Sequence, residues 1–288
     1  MTVLVLGATG KTGRPVVDAL VARGVKVVAA SRNPGRATDG IETVRFDWAD
    51  RTTWEQALAN VDGLYVVGPY AEPNGAVLVR ELLSAAPQVQ RVVLLSVLGA
   101  DLLPDVVLMA GWEADVRSSG KEWTILRPNW FQQNFGEGFA TPLREYSTLE
   151  LPAADAALGF IDTRDIAEVA AAALTEPGHA GQIHVLTGPE SLSHTMVMAI
   201  LGAAASREFR YTALTADEFA ARLRAAGADD NSITWQLGLF TLIRDGVNAI
   251  VTDTVERITG HPARSLAAYA AEHAEAWRKG PVNRSERP

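Results

Sequence analysis

The chain is most constrained at its start, where Val3-Leu4-Val5-Leu6 runs straight into Gly7-Ala8-Thr9-Gly10-Lys11-Thr12-Gly13. Four consecutive apolar residues fit a strand covered on both faces, the situation of a parallel strand at the centre of a sheet. The glycines that follow permit a tight turn, close approach of a pyrophosphate and close packing of the next helix. That helix is expected from Gly13 to Arg23, with Pro15 in the first turn, where a missing N–H costs little, and Gly24 closing it. A Walker-type phosphate loop is excluded, because it needs four residues between its glycines and then Gly-Lys-Ser/Thr.

The same alternation continues. Strands are expected over 25–30, 43–46, 63–67, 91–96 and 123–127, and helices at the Thr52-x-x-Glu55 capping box, over 74–86 and over 105–119. Strands alternating with helices at this spacing predict an α/β fold with a doubly wound parallel sheet. After Pro128 the rhythm breaks. Aromatic, amide and glycine residues over 129–139 lead into a Pro/Ala-rich connection to about 157, which reads as a lid or substrate segment. The core pattern returns with a short strand near Phe160, a helix over 163–174 and a strand over 183–186. From Ser193 helices dominate, one opening at Thr215-x-x-Glu218 and another over 264–277. The expected organisation is a dinucleotide-binding core over 1–128, completed by about 158–187. A smaller, mostly helical substrate lobe and lid follow over 129–157 and 188–279, and 280–288 form a frayed polar tail.

A formal net charge of -8 gives no broad positive field, so neither nucleic acid nor an anionic membrane is an expected partner. Cysteine is absent, which removes disulfides, thiolate nucleophiles and Cys-ligated metals. No run approaches ~20 apolar residues, and the run from Val3 to Leu6 is too short for a signal-peptide core, so a cytoplasmic location is expected. His179, His184 and His194 lack helical i, i+4 spacing, and no metal is expected. Leu94-Leu95-Ser96-Val97-Leu98 is not a G-x-S-x-G elbow, which argues against a hydrolase.

The residue facing the adenosine ribose should fall near the end of the second strand, where an acid signals NAD and a base NADP. Ala30-Ser31-Arg32-Asn33 holds no carboxylate. Arg32 can pair with a 2′-phosphate, so the expected cofactor is NADPH. Asp47-Trp48 after the third strand is placed to contact adenine, although an acid there also suits a cap on the next helix.

These residues, with Phe46-Asp47-Trp48, Val66-Val67-Gly68-Pro69, Leu94-Leu95-Ser96, Leu126-Arg127-Pro128-Asn129-Trp130-Phe131, Phe160-Ile161-Asp162-Thr163-Arg164-Asp165 and Thr187-Gly188-Pro189-Glu190, resemble the NmrA-like atypical short-chain dehydrogenases. The Phe-Asp-Trp segment, the run ending at Asn134-Phe135 and Thr259-Gly260-His261-Pro262 resemble the festuclavine/agroclavine dehydrogenase-like branch. The resemblance spans the chain to about Trp277. It implies a Rossmann core that holds NAD(P)H at Gly7, Thr9, Gly10, Lys11, Thr12 and Arg32, with the nicotinamide near Gly68, Pro69, Ser96 and Asn129 to Phe131; Gly13 and Pro128 are further expected cofactor contacts. It also implies reduction of an iminium in alkaloid assembly, a setting of secondary metabolism, or of quinones and related acceptors.

One departure matters. Ordinary short-chain dehydrogenases use a Tyr-x-x-x-Lys pair, but between Ser96 and Trp123 there is no tyrosine and no lysine before Lys121. Ketone reduction develops alkoxide charge and calls for an acid. Hydride addition to an iminium neutralises a cation instead, and quinone reduction yields a relatively stable anion. The expected function is therefore NADPH-dependent hydride transfer to an iminium or conjugated carbonyl of a bulky, aromatic or polycyclic small molecule. Ser96 and Tyr70 are the catalytic candidates; the substrate candidates are Trp112, Trp130 and Phe131, through stacking and cation–π attraction, and Asn134, through a hydrogen bond to substrate or as a tie within the lid. The alternatives are a redox sensor that binds NADP(H) without turnover, and a non-redox cyclase or isomerase on the same fold.

Overall fold

The computed structural model describes residues 1–35, 41–70, 72, 74–103 and 108–278. The expected tail, 280–288, lies outside the described residues, as does the expected start of the helix at Asp105. The chain divides into two compact units. The first comprises Met1–Asn129, Thr163–Thr187 and Thr252–Ala263, and the second Trp130–Asp162, Gly188–Val251 and the chain from Arg264 onward. Two boundaries differ from the sequence expectation. Residues 158–162 belong to the second unit, and Thr252–Ala263 returns to the first.

In the first unit the elements run β1 Thr2–Leu6, α1 Gly13–Ala22, β2 Lys26–Ser31, β3 Ile41–Arg45, α2 Trp54–Leu58, β4 Gly63–Val67 and α3 Gly75–Ala85. They continue with β5 Arg91–Leu95, α4 Met109–Arg117, β6 Glu122–Pro128, α5 Thr163–Thr175, β7 Gln182–Leu186 and α6 Thr254–Thr259. The seven strands form one parallel sheet in the order β3-β2-β1-β4-β5-β6-β7. β1 is central because Val3 to Leu6 are fully buried, as a strand with helices over both faces must be. α1 buries Val16, Val17 and Leu20 and packs against α5, which packs against α6, while α2 packs on α3 and α3 on α4. The sheet order reverses between β1 and β4, which marks the carboxyl ends around that crevice as the ligand side.

The branch-like Thr259-Gly260-His261-Pro262 has a structural use. Gly260, at φ +81°, caps α6, Thr259 Oγ1 donates to the Val255 carbonyl, and His261 Nε2 lies 2.5 Å from Glu168 Oε2 on α5. The Thr52-x-x-Glu55 capping box does not form. Asp50 instead accepts from the Thr52 N–H at 3.2 Å and caps the short 3-10 turn Arg51–Thr53, and α2 starts behind it.

The second unit is built on helices His194–Ala205, Ala216–Ala225, Asp230–Arg244 and Leu266–His273. The Thr215/Glu218 box is formed with both reciprocal bonds. Its core includes Phe135, Leu143, Phe160, Leu201, Tyr269 and Trp277, and the Trp277 indole donates to the Phe135 carbonyl at 2.7 Å. The segment read as an irregular connection holds a helix, Ala140–Tyr146, and a strand, Thr148–Leu151, paired in parallel with Arg210–Ala213. Among the described residues no helix is long and apolar enough to cross a membrane.

Candidate functional site

The glycine turn after β1 has the conformation its residue types imply. Gly7 stands at φ +65°, the Ala8 N–H donates to the Ala30 carbonyl at 3.0 Å, and the Gly10 N–H donates to the Gly7 carbonyl at 2.8 Å. A Cβ on Gly13 would lie 2.1 Å from the Gly7 oxygen, so this helix start accepts no side chain. Thr9, Gly10 and Lys11 are exposed at the rim and Thr12 and Gly13 are buried behind them. Thr12 makes no side-chain cap bond. Within the first turn of α1 the Arg14 N–H donates to the Gly10 carbonyl at 3.1 Å and Pro15 has no N–H, which leaves the Gly13 N–H for an anion at this helix start.

Arg32 is exposed in the bend just beyond β2, and among the described residues it forms no ion pair. Beyond β3, Asp47 Oδ1 accepts from the Ala49 N–H at 3.1 Å, and Trp48 stands edge-on to Phe46 and Trp54 at 5.1 and 5.8 Å. Asp47 thus shapes its own turn and caps no helix. The ends of β1, β2 and β3 bring Gly7 to Gly13, Arg32, Asp47 and Trp48 to one edge of the sheet.

At the same edge, beyond β4, a Cβ on Gly68 would lie 2.3 Å from the Trp112 ring. Trp112 itself is 1% exposed and its indole N–H donates to the Gly75 carbonyl at 2.7 Å. The expected substrate contact through Trp112 is therefore corrected: its ring is spent on packing under Gly68 and on an edge-on contact with Tyr70 at 5.1 Å. Tyr70 follows the buried Pro69. Desolvation pushes its phenol up to about 12, a push limited by the 44% of the residue that remains exposed. Either way the phenol is neutral at physiological pH.

Ser96, the residue after β5, is 4% exposed and gives its hydroxyl hydrogen to Glu113 Oε1 at 2.6 Å. Glu113, on α4 and 1% exposed, also accepts from Arg127 Nε at 2.9 Å, Arg127 Nη2 at 2.7 Å and Arg117 Nη2 at 2.7 Å. Arg127 reaches Asp101 as well, at 3.0 Å, and its hydrogen bonds to Glu113, with that charge and Asp101's, hold its pKa above the usual value. At the end of β6 the Pro128 carbonyl accepts from the Leu98 N–H at 3.0 Å, and just beyond it the buried Asn129 donates its N–H to the Leu186 carbonyl at 2.8 Å.

Sequence reasoning missed the Glu113–Arg127–Arg117 network. A signal was present in a lone arginine within the apolar run Trp123 to Pro128 and in a glutamate four residues before Arg117 on an otherwise apolar helix face. Neither residue type is often buried without a partner.

Trp130, Phe131 and Asn134 belong to the second unit. There Trp130 packs on Phe240 at 5.1 Å, Phe131 forms a parallel bridge with Ile161, and the Asn134 carbonyl accepts from the Phe139 N–H at 2.8 Å. Asp162 is buried and accepts from Gln133 Nε2 at 2.9 Å. In the first unit His179 Nδ1 and His184 Nε2 approach to 3.1 Å, and among the described residues no three His, Asp or Glu side chains gather as a metal site would need.

Comparison with known proteins agrees with this geometry. The family model described as NAD(P)H-binding matches residues 7–177. The NAD(P)H azoreductase of Xenophilus azovorans is 34% identical over 96% of this chain and 99% of its own. The agroclavine dehydrogenase of Claviceps fusiformis is 29% identical over 96% and 99%. The Escherichia coli NADPH-dependent quinone oxidoreductase complexed with NADPH superposes with a TM-score of 0.81 at 26% identity, covering 94% of this chain and 99% of that one. Identity to the alkaloid enzyme does not exceed identity to the azoreductase, so the branch resemblance does not select among them. With its glycine turn, its parallel sheet and these relatives, the chain belongs to the NAD(P)H-binding family whose model it matches, has the NmrA-like fold, and is an NAD(P)H-dependent oxidoreductase.

Proposed function

We propose that this protein is an NADPH-dependent reductase delivering hydride to flat, conjugated small molecules, an iminium or a quinone-type carbonyl, with no proton supplied by a protein side chain. The observation that carries the reading is the donation of the Ser96 hydroxyl hydrogen to Glu113, which leaves that hydroxyl without a proton to give. Three other donors of the first unit are poor as well. Lys121 spends its ammonium on the Ala86 and Val89 carbonyls, at 2.7 and 2.9 Å. Tyr65 is fully buried in β4 with its phenol pushed up by desolvation. Tyr70 is a weak acid at neutral pH.

The glycine turn and the uncapped start of α1 would hold the pyrophosphate, and Arg32 the 2′-phosphate. Bound there, the reduced cofactor supplies the hydride. An azo compound and a quinone, the acceptors in two relatives' names, are conjugated in the same way.

Arg32→Ala is expected to weaken NADPH binding about 10- to 100-fold, the value of a charge-assisted hydrogen bond, while NADH affinity changes less than about threefold. Equal affinities for the two cofactors in the unmodified protein would sink the 2′-phosphate assignment. Stopped-flow NADPH oxidation against iminium, quinone and azo acceptors tests the reaction itself. Tight binding with no turnover on any acceptor would replace this reading by a redox sensor or a non-redox enzyme.

A further inference from the structure

We propose that the ring of Tyr70, and not its hydroxyl, is the working part of this residue: a fixed platform on which the acceptor stacks, selecting fused-ring acceptors over single rings. The proposal rests on the reductase reading of the site and deepens it.

Tyr70 stands where an acceptor must arrive. It is the third residue after β4, and β1 and β4 are the neighbours between which the sheet order reverses, so the chain leaving β4 borders the ligand crevice. The Tyr70 phenol and the Thr12 hydroxyl, at the start of α1, both lie near enough to act on the buried Tyr65 phenol. The ring is therefore on the glycine-turn side of β4.

Its orientation is held. The Tyr70 N–H donates to the Gly68 carbonyl at 3.0 Å, closing a tight turn, and the ring meets Trp112 edge-to-face at 5.1 Å and 78°. Trp112 gives no ground, because it is buried, its indole donates to the Gly75 carbonyl at 2.7 Å, and its ring fills the space that a Cβ on Gly68 would take. An edge-to-face contact occupies at most one face of the tyrosine. Among the described residues no other ring lies against Tyr70 and none bonds its hydroxyl, and 44% of the residue is exposed.

An aromatic side chain already fixed loses little freedom when a flat molecule covers it. Ring fusion matters because stacking and hydride transfer each claim part of the acceptor. A fused system lays one ring on Tyr70 and presents another to the hydride donor; a single ring cannot serve both.

The test reads a ratio. The KM values of 1,4-benzoquinone and 9,10-phenanthrenequinone are measured with NADPH for the unmodified protein, Tyr70→Leu, Tyr70→Gln and Tyr70→Phe. One-ring and three-ring iminium salts replace the quinones if only iminium acceptors turn over. Tyr70→Leu and Tyr70→Gln both remove the aromatic face, and either is expected to lower the preference for the three-ring acceptor about three- to tenfold, the range of a lost aromatic pair. Tyr70→Phe keeps the face and is expected to hold that preference to within about twofold. A preference unchanged in Tyr70→Leu or Tyr70→Gln, including one in which both KM values rise together, overturns the platform and leaves the reductase reading in place. A preference lost in Tyr70→Phe, or a kcat that falls there with a changed pH profile, makes the hydroxyl the working group and overturns the platform too. No turnover of any acceptor by the unmodified protein overturns both this proposal and the reading beneath it.

Discussion

Glu113→Ala is expected to lower the stability of the first unit by about 3–5 kcal/mol, read as a shift in its urea midpoint at neutral pH. The carboxylate is 1% exposed and holds Arg127, whose side chain is only 13% exposed, together with Ser96 and Arg117. Removing it leaves a largely buried guanidinium with Asp101 as its remaining charged partner, and an uncompensated buried charge costs far more than the pair gains when intact. Two further variants check the cause. Arg117→Ala is expected to cost about 1 kcal/mol or less, because that side chain is 40% exposed and water replaces most of what it loses. Glu113→Met combined with Arg127→Met should recover most of the loss, since replacing both partners removes the orphan. A Glu113→Ala shift below about 1 kcal/mol would mean that Arg127 finds water, and the network would then carry no structural weight.

The parts of this molecule that were legible in the sequence are those decided locally. Val3 to Leu6 with Gly7, Gly10 and Gly13 specify a buried strand, a tight turn and a helix start within 13 residues, and the structure has each. β4 at Gly63–Val67 carries the bounds the pattern implied, because a continuous apolar run between turn residues has few alternatives. The strand Thr148–Leu151 was not legible: its partner, Arg210–Ala213, lies some 60 residues away and no local pattern announces it. Nor was the return of Thr252–Ala263 to the first unit, which depends on α6 finding α5. At Thr52 the capping signature was present, yet Asp50 two residues earlier captured the Thr52 N–H, a competition between two local caps that spacing alone does not rank.

The site divides in the same way. Glycines and Arg32 could be placed by their offset from strands. Trp112 could not, because an aromatic residue near a cofactor pocket and one packed beneath it have the same sequence signature; only its burial and its bond to Gly75 decide. Ser96 could be placed at the end of a strand, but whether its hydroxyl donates or accepts depends on Glu113, 17 residues on. Hydrogen-bond direction is thus the functional property furthest from the sequence here. It also ties chemistry to stability, since the network that denies Ser96 a proton to give is the one that keeps Arg127 compensated.

Acidification is expected to destabilise the second unit through His194, and His194→Phe to remove much of that sensitivity. His194 is 0% exposed, neither ring nitrogen has a hydrogen-bond partner, and it is surrounded by aromatic rings, with Tyr211 stacked on it at 5.0 Å and Phe160 edge-on at 5.6 Å. Desolvation pulls its pKa down from 6.5 to about 4. Below pH 6.5 the unfolded chain takes up a proton that the folded chain refuses, so the contribution is whole above 6.5, shrinks as pH falls, and is gone once pH passes the folded value. The full window is worth on the order of 3 kcal/mol, with about 2 kcal/mol lost by pH 5. His184, in the first unit, is also lowered to about 4 by burial, next to His179 and Arg257, and acts over the same range. Separating the two requires urea melts of the unmodified protein and His194→Phe at pH 7.5 and pH 5. The variant should be the more stable at both, because phenylalanine fits the ring cluster without burying two unpaired nitrogens, and the gap should widen at pH 5 by about 2 kcal/mol. A gap of the same size at both pH values would show that His194 gains a proton while folded, and that the cluster admits water.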